Sequence, residues 1–264
     1  MKYFVSKKQQ KRLLKTLGMA VLIMNFAGCG YVATNPSHLN DTSTNAFGYK
    51  IGHDDPQRPD FDLGAGEYGS SPQQAKMVSY KTLFQFGLML PTTSTSFGRD
   101  AVRHLQHYFE NTGTELDIDV NRLINESNAA RIRYEQEVAE AKRFVESLEP
   151  GTYEITAINM NGTQITHEDN KNWSFAVGSY YSWGQANYVT VEVTSSKRRF
   201  HIDFIYKLFD AYNWARGDEP LMNLPFFPEK ITSTFMGEFH REGLAREYLM
   251  NGVLQTSLDW EKDI

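Results

Sequence analysis

A single cysteine, Cys29, stands in 264 residues, so the chain can form no disulfide within itself. No run approaches the roughly 20 apolar residues that a membrane-crossing helix needs; the segment 16–27, TLGMAVLIMNFA, falls well short of it. Gly-rich phosphate loops, dinucleotide fingerprints, calcium loops, the G-x-S-x-G elbow and the zinc-protease pattern are all missing. Their absence removes the usual sequence signs of nucleotide, metal and α/β-hydrolase chemistry, and no metal or cofactor is expected. Basic stripes with interleaved aromatics are lacking too, apart from the short Lys197-Arg198-Arg199 run, so no nucleic-acid partner is expected.

What is present begins with a leader. Residues 1–15 carry Lys2, Lys7, Lys8, Lys11, Arg12 and Lys15 and no acid, and the apolar segment that follows ends at Gly28-Cys29. A positive start, a short hydrophobic middle and a small-residue cut site read as a secretory signal over 1–28. Phe26-Ala27-Gly28-Cys29 resembles the lipobox of bacterial lipoproteins, with Phe where Leu is usual. The resemblance implies cleavage before Cys29, lipidation of its sulfur, and a membrane anchor made stable by two or more acyl chains. Gly30 rather than Asp after the cysteine implies the outer membrane, facing the periplasm. Lipidation also consumes the one thiol, which excludes thiol catalysis. The leader holds six of the 27 basic residues and none of the 32 acidic ones, so the formal charge moves from −5 to −11 on cleavage. Such a chain is poorly suited to binding nucleic acid or anionic headgroups.

Residues 29–72 read as the lipidated cysteine and a flexible tether, rich in polar residues and broken by Asp54-Asp55-Pro56 and Arg58-Pro59-Asp60. Residues 73–264 read as a single α+β domain, with N-terminal helices packed against a mainly antiparallel sheet. The spacing of Met77, Tyr80, Phe84 and Leu88 predicts a helix that Pro91 stops, and a second follows over 99–111. Residues 121–149 predict the longest helical region, ended by Pro150-Gly151. Alternation then begins at Tyr153, and Asn161-Gly162 predicts a hairpin turn. Residues 173–193, 231–240 and 252–260 read as strands, whereas 199–216 fits a helix or a strand equally.

Three groups could carry chemistry. Asp100, His104 and His107 share one helix face and could in principle ligate a metal, but a solvated histidine face is the expected reading. His201 and Asp203, two apart, point the same way if their segment is a strand, and an acid can orient an imidazole for base chemistry. The stretch 237–252 concentrates Glu238, His240, Arg241, Arg246 and Glu247 between glycines; Arg241 or Arg246 could clamp an anion, or the charges could pair to fix the fold. His201, Asp203, His240 and Arg241 are therefore the catalytic candidates. Tyr180, Tyr181, Trp183 and Tyr188 are the candidates for an exposed ligand surface.

Phe209-Asp210, the run FHREGLAREYL from 239 to 249, Asn251-Gly252 and the closing Ser257-Leu258-Asp259-Trp260 resemble an uncharacterised enterobacterial domain family. That family occurs in small envelope lipoproteins and at the C-termini of secreted polymorphic proteins, and the resemblance covers roughly 75–262. It implies a part in interbacterial competition but no active-site residues. The sequence therefore favours an envelope lipoprotein that is not an enzyme and binds a protein or cell-wall ligand such as peptidoglycan. The alternatives are a cell-envelope hydrolase using His201 and Asp203, and an immunity-like inhibitor of a secreted toxin.

Overall fold

The computed structural model describes residues 48–59, 64–215, 220–222 and 231–264; Cys29 and the leader expected over 1–28 lie outside them. The fold is α+β, and the chain divides into two compact units. Among the described residues, one unit holds 64–113, 213–215, 220–222 and 231–247, and the other holds 48–59, 114–212 and 248–264.

The first unit is helical. Its elements are α1 (Ala75–Leu88), α2 (Pro91–Phe97), α3 (Arg99–Glu110) and, later in the chain, α7 (Ser233–Arg241). Pro91 does not merely stop α1; its fixed φ suits the first turn of α2. Phe84, Phe109 and Phe239 meet with ring centroids 5.1–5.9 Å apart, and Phe235 lies 5.5 Å from Phe239. Phe84 and Phe109 stack, while both meet Phe239 edge-to-face, and such contacts add to the area they bury. Asn111 ends α3 in the left-handed conformation, and its amide donates to the Gly243 carbonyl at 2.9 Å. The expected strand over 231–240 is corrected here. Only Ile231–Thr232 is extended, as β8 against β7 (Pro220–Met222), because Thr232 caps a helix by accepting from the Phe235 N–H. Phe235, Met236, Phe239 and His240 are then buried at helical spacing.

The second unit is built on a sheet of order β1-β3-β5-β6-β9-β2, with β4 also on β5. Its members are β1 (Tyr49–Ile51), β2 (Leu116–Asp117), β3 (Gly151–Ala157), β4 (Asn161–Gln164), β5 (Ser179–Val193), β6 (Lys197–Tyr212) and β9 (Tyr248–Asp263). All pairings are antiparallel except the short β2–β9 pair. The ambiguous 199–216 segment is thus a strand up to Tyr212. Its register with β9 is unbroken from Lys197↔Asp263 to Tyr212↔Tyr248, which gives every other β6 residue a neighbour on each side. That ladder outweighs a helical apolar spacing that the same residues also satisfy.

Helices α4 (Val120–Glu126) and α5 (Asn128–Glu146) precede these long strands, and α5 packs on one face of the sheet. The expected single long helix is cut at Ser127. Its hydroxyl accepts from the Ala130 N–H, and Asp169 accepts from the N–H groups of Asn128 and Ala129 at 2.9 and 3.3 Å. A carboxylate on free N–H groups makes a new helix start cheaper than continuing the old one. The short helix α6 (Lys171–Ala176) follows Asp169.

Asn161-Gly162 is not a hairpin turn. Both residues lie within β4, and β3 and β4 run end to end along the same edge of β5 as one interrupted strand. The expectation of a flexible tether is also corrected over 48–59. Tyr49–Ile51 pair with β3, the indole of Trp183 donates to Asp55 at 2.9 Å, and the Arg58 guanidinium lies 3.8 Å from the Phe209 ring centre.

Candidate functional site

On the sheet face away from α5, period-two alternation brings polar side chains of three strands into rows. The register aligns Thr190, His201 and Asp259 in one row, and Tyr188, Asp203 and Ser257 in the next. The His201 ring is held between two carboxylates: Nδ1 lies 2.8 Å from Asp259 Oδ1, and Nε2 lies 3.2 Å from Asp203 Oδ1. The Ser257 hydroxyl donates to the same Asp203 oxygen at 2.7 Å, and the Tyr188 ring stands edge-on to the imidazole at 5.8 Å. The Asp259 hydrogen bond raises the His201 pKa above its ordinary value; partial burial opposes this, and the Asp203 charge adds to it.

This arrangement differs from a serine-hydrolase triad. Ser257 touches the carboxylate rather than the imidazole, so it lacks the serine–histidine contact of such a triad. An imidazolium with one firm and one looser partner is suited instead to giving up a proton at Nε2. Asp203 is half exposed and can take a proton from a neighbouring molecule.

The other two catalytic candidates lie in the helical unit and are occupied. His240 Nε2 meets the Gly66 carbonyl at 3.1 Å, while Nδ1 accepts the Glu247 N–H at 3.0 Å. Its pKa is pushed down, first by burial and also by Arg246 and Arg241. The Arg241 guanidinium donates to the Ala65 carbonyl at 2.8 Å, the Thr234 carbonyl at 3.2 Å and Glu238 at 2.7 Å. Glu247 Oε1 accepts from the N–H groups of Ala65 and Trp214 at 3.0 and 2.7 Å. The charges of the FHREGLARE stretch thus hold neighbouring backbone in place.

The solvated histidine face on α3 is corrected as well. Asp100 and His104 are buried, and burial, with the nearby Arg103, lowers the His104 pKa to about 4. His107 instead meets Glu110 at 3.1 Å. Among the described residues, no group of three or more His, Cys, Asp or Glu is arranged to hold a metal ion. No described helix is long and apolar enough to cross a membrane.

The four-aromatic ligand surface divides. Tyr180 and Trp183 are 1% and 3% exposed and belong to the interior, whereas Tyr188 is 47% exposed. The sheet pleat sends Tyr180 toward the α5 side, and the 48–59 segment covers Trp183. Two further groups had no sequence signal of their own. Ser257 and Asp259 belong with His201 only through the β6–β9 register, although alternation along β9 marks them as one exposed face. Glu137 is the other. It is fully buried on α5 and accepts from the Tyr49 hydroxyl at 2.8 Å, the Gly184 N–H at 3.1 Å and Arg133 at 2.5 Å. Burial raises its pKa above the usual carboxylate value.

No family model matches the chain, and no curated protein does. Among solved structures the chain is similar to PaeM, a colicin M-like bacteriocin produced by Pseudomonas aeruginosa. The identity is 14% and the TM-score 0.38, covering 72% of this chain and 59% of that one. The chain therefore spans less than two thirds of the bacteriocin's length. The sequence leaned away from an enzyme on the expectation that titratable groups would not converge, and that leaning is corrected. His201, Asp203 and Asp259 converge on one face, and Glu137 with Arg133 forms a buried pair.

Proposed function

We propose that this chain is a lipid-anchored cell-envelope hydrolase acting on peptidoglycan or a lipid-linked cell-wall substrate, with His201 as its proton donor. The observation that carries the reading is the imidazole clamped between Asp259 and Asp203 on an open sheet face. Asp259 orients the ring through Nδ1. A leaving-group oxygen takes the Nε2 proton by displacing the looser Asp203 contact. Asp203, steadied by Ser257, is then the base that draws a proton from the attacking water. The lipobox-like site at Cys29 supports attachment to the outer membrane on the periplasmic side, and the resemblance to domains of secreted polymorphic proteins supports a place in interbacterial competition.

The test is turnover of purified peptidoglycan and of lipid-linked precursor by the full chain in detergent. His201→Gln is expected to lower the rate about 10²- to 10⁴-fold, the range of a positioned acid or base. Asp203→Asn is expected to lower it comparably. An absence of turnover, or equal rates in the variants, overturns the reading. The formal charge of −11 after cleavage favours a second reading, an immunity-like inhibitor steered to a basic toxin. Salt-sensitive, tight association with a secreted toxin, without turnover, would select it.

A further inference from the structure

Helix α1 is apolar on more than the side it buries. Met77, Phe84 and Leu88 face inward, with Phe84 against Phe109 and Phe239. Val78, Leu83 and Phe86 are nevertheless 43%, 42% and 46% exposed, and Met89, just past the helix end, is 75% exposed. Of the eleven exposed large apolar side chains among the described residues, these four fall within twelve positions, and elsewhere no element carries more than two. Val78, Thr82, Phe86 and Met89 recur at helical spacing, so with Leu83 beside them they form one outward stripe. Single exposed apolar residues need no account, but a contiguous apolar patch marks a surface that something covers.

Two features select the occupant. The hydroxyls on the stripe are satisfied within the helix: Ser79 donates to the Ala75 carbonyl at 3.0 Å, and Thr82 to the Val78 carbonyl at 3.1 Å. Beyond the helix end, the Thr93 hydroxyl donates to the Gly87 carbonyl at 2.6 Å. A face whose donors are used internally offers a protein partner few directional bonds, and loses little on leaving water for hydrocarbon. The second feature is charge. The sequence carries 32 acidic residues, yet none falls between Glu67 and Asp100, where Lys76, Lys81 and Arg99 stand. That interval escapes the repulsion that the rest of this acidic chain would meet at anionic headgroups. With 14 residues α1 is too short to span a bilayer, and its other side is committed to the aromatic core, so it would lie in the interface plane. We propose that the outward face of α1, through Val78, Leu83, Phe86 and Met89, seats the helical unit on a phospholipid bilayer surface. The seating depends on neither the Cys29 anchor nor the His201 chemistry.

The probe is vesicles of phosphatidylethanolamine and phosphatidylglycerol, added to the full chain carrying Cys29→Ser so that no lipid at position 29 contributes. A nitroxide attached through Met89→Cys in that chain is expected to gain collisions with oxygen and to lose collisions with a water-soluble nickel chelate when vesicles are added. The same label attached through Glu135→Cys, at an exposed position on α5, should keep its access to nickel. Leu83→Ser with Phe86→Ser in the chain labelled at position 89 should abolish the exchange, because two large side chains no longer gain by leaving water. Both are exposed, so the thermal midpoint should stay at the parent's value, which separates lost seating from misfolding. A label at position 89 that stays open to nickel on vesicle-bound protein would show attachment through another element and overturn the proposal. So would an absence of vesicle binding. Nickel shielding at position 89 that precedes the vesicles and grows with protein concentration would show that a second copy covers the face, and would overturn the lipid assignment.

Discussion

Replacing Gly184 with alanine is expected to be among the most damaging single-methyl changes in this chain. A Cβ there would lie 1.9 Å from the Tyr49 hydroxyl and 2.7 Å from the Phe204 ring. Tyr49 is fully buried, so its hydroxyl must retreat by about 1.5 Å to reach ordinary contact distance, and it has no solvent to retreat into. That movement breaks its bond to Glu137, which also accepts the Gly184 N–H. Overpacking costs about 1–3 kcal/mol and a hydrogen bond to a charged group about 1.5–3, so the sum is about 3–5 kcal/mol. At about 2–4 °C per kcal/mol, the thermal midpoint should fall by about 6–20 °C. Urea unfolding of the parent, Gly184→Ala, Tyr49→Phe and the double variant checks the reasoning. Tyr49→Phe removes the clashing oxygen, so Gly184→Ala should cost about 1 kcal/mol less in that background. Gly162→Ala is the control, because its nearest contact is an ordinary 3.6 Å from the Tyr181 ring. A loss below about 1 kcal/mol for Gly184→Ala, or equal losses in both backgrounds, would refute the close-packed Tyr49–Glu137–Gly184 arrangement.

The buried His104 binds its proton less readily in the fold than in the unfolded chain, so stability should be lost as pH falls from about 6.5 toward about 4, by on the order of 3 kcal/mol; urea midpoints across that range should flatten in His104→Gln, and an unchanged slope would count against it. His201 has the opposite sign: its stabilising pairing is present below 6.5 and is lost as pH rises through its raised folded value. NMR titration should show that raised midpoint and its fall in Asp259→Asn, and a midpoint indifferent to Asp259 would remove the clamp. His240→Ala should cost about 2 kcal/mol through the two backbone partners it abandons, without moving the His201 titration. If the proposed lipid anchor at Cys29 holds the protein, the parent should sediment with the membrane fraction and Cys29→Ser should not; equal distribution of the two would overturn the anchor.

Local rules made the helices around 75–88 and 99–110 legible, because apolar residues recur there at helical spacing and Pro, Asn and Gly mark the ends. They failed where a distant partner decided the outcome. Residues 231–240 alternate well enough to look extended, but a Thr232 cap and the buried Phe235 and Phe239 favour a helix. Asn161-Gly162 has the composition of a tight turn, yet the free edge of β5 takes it as a strand. His104 looks polar in sequence and is buried, while Trp183 looked available and is covered by a segment that composition assigns to a tether.

The sequence by itself determined the charge balance, the single cysteine, the α+β class and the candidacy of His201 with Asp203. Each of these depends on composition or on neighbours a few residues apart, where spacing alone sets which side chains share a face. Only the tertiary structure decided that Asp259 and Ser257 complete the His201 cluster and that His240 and Arg241 brace backbone instead. Those groupings join residues as far as 176 positions apart. They follow from strand register and helix packing, which the whole chain settles at once.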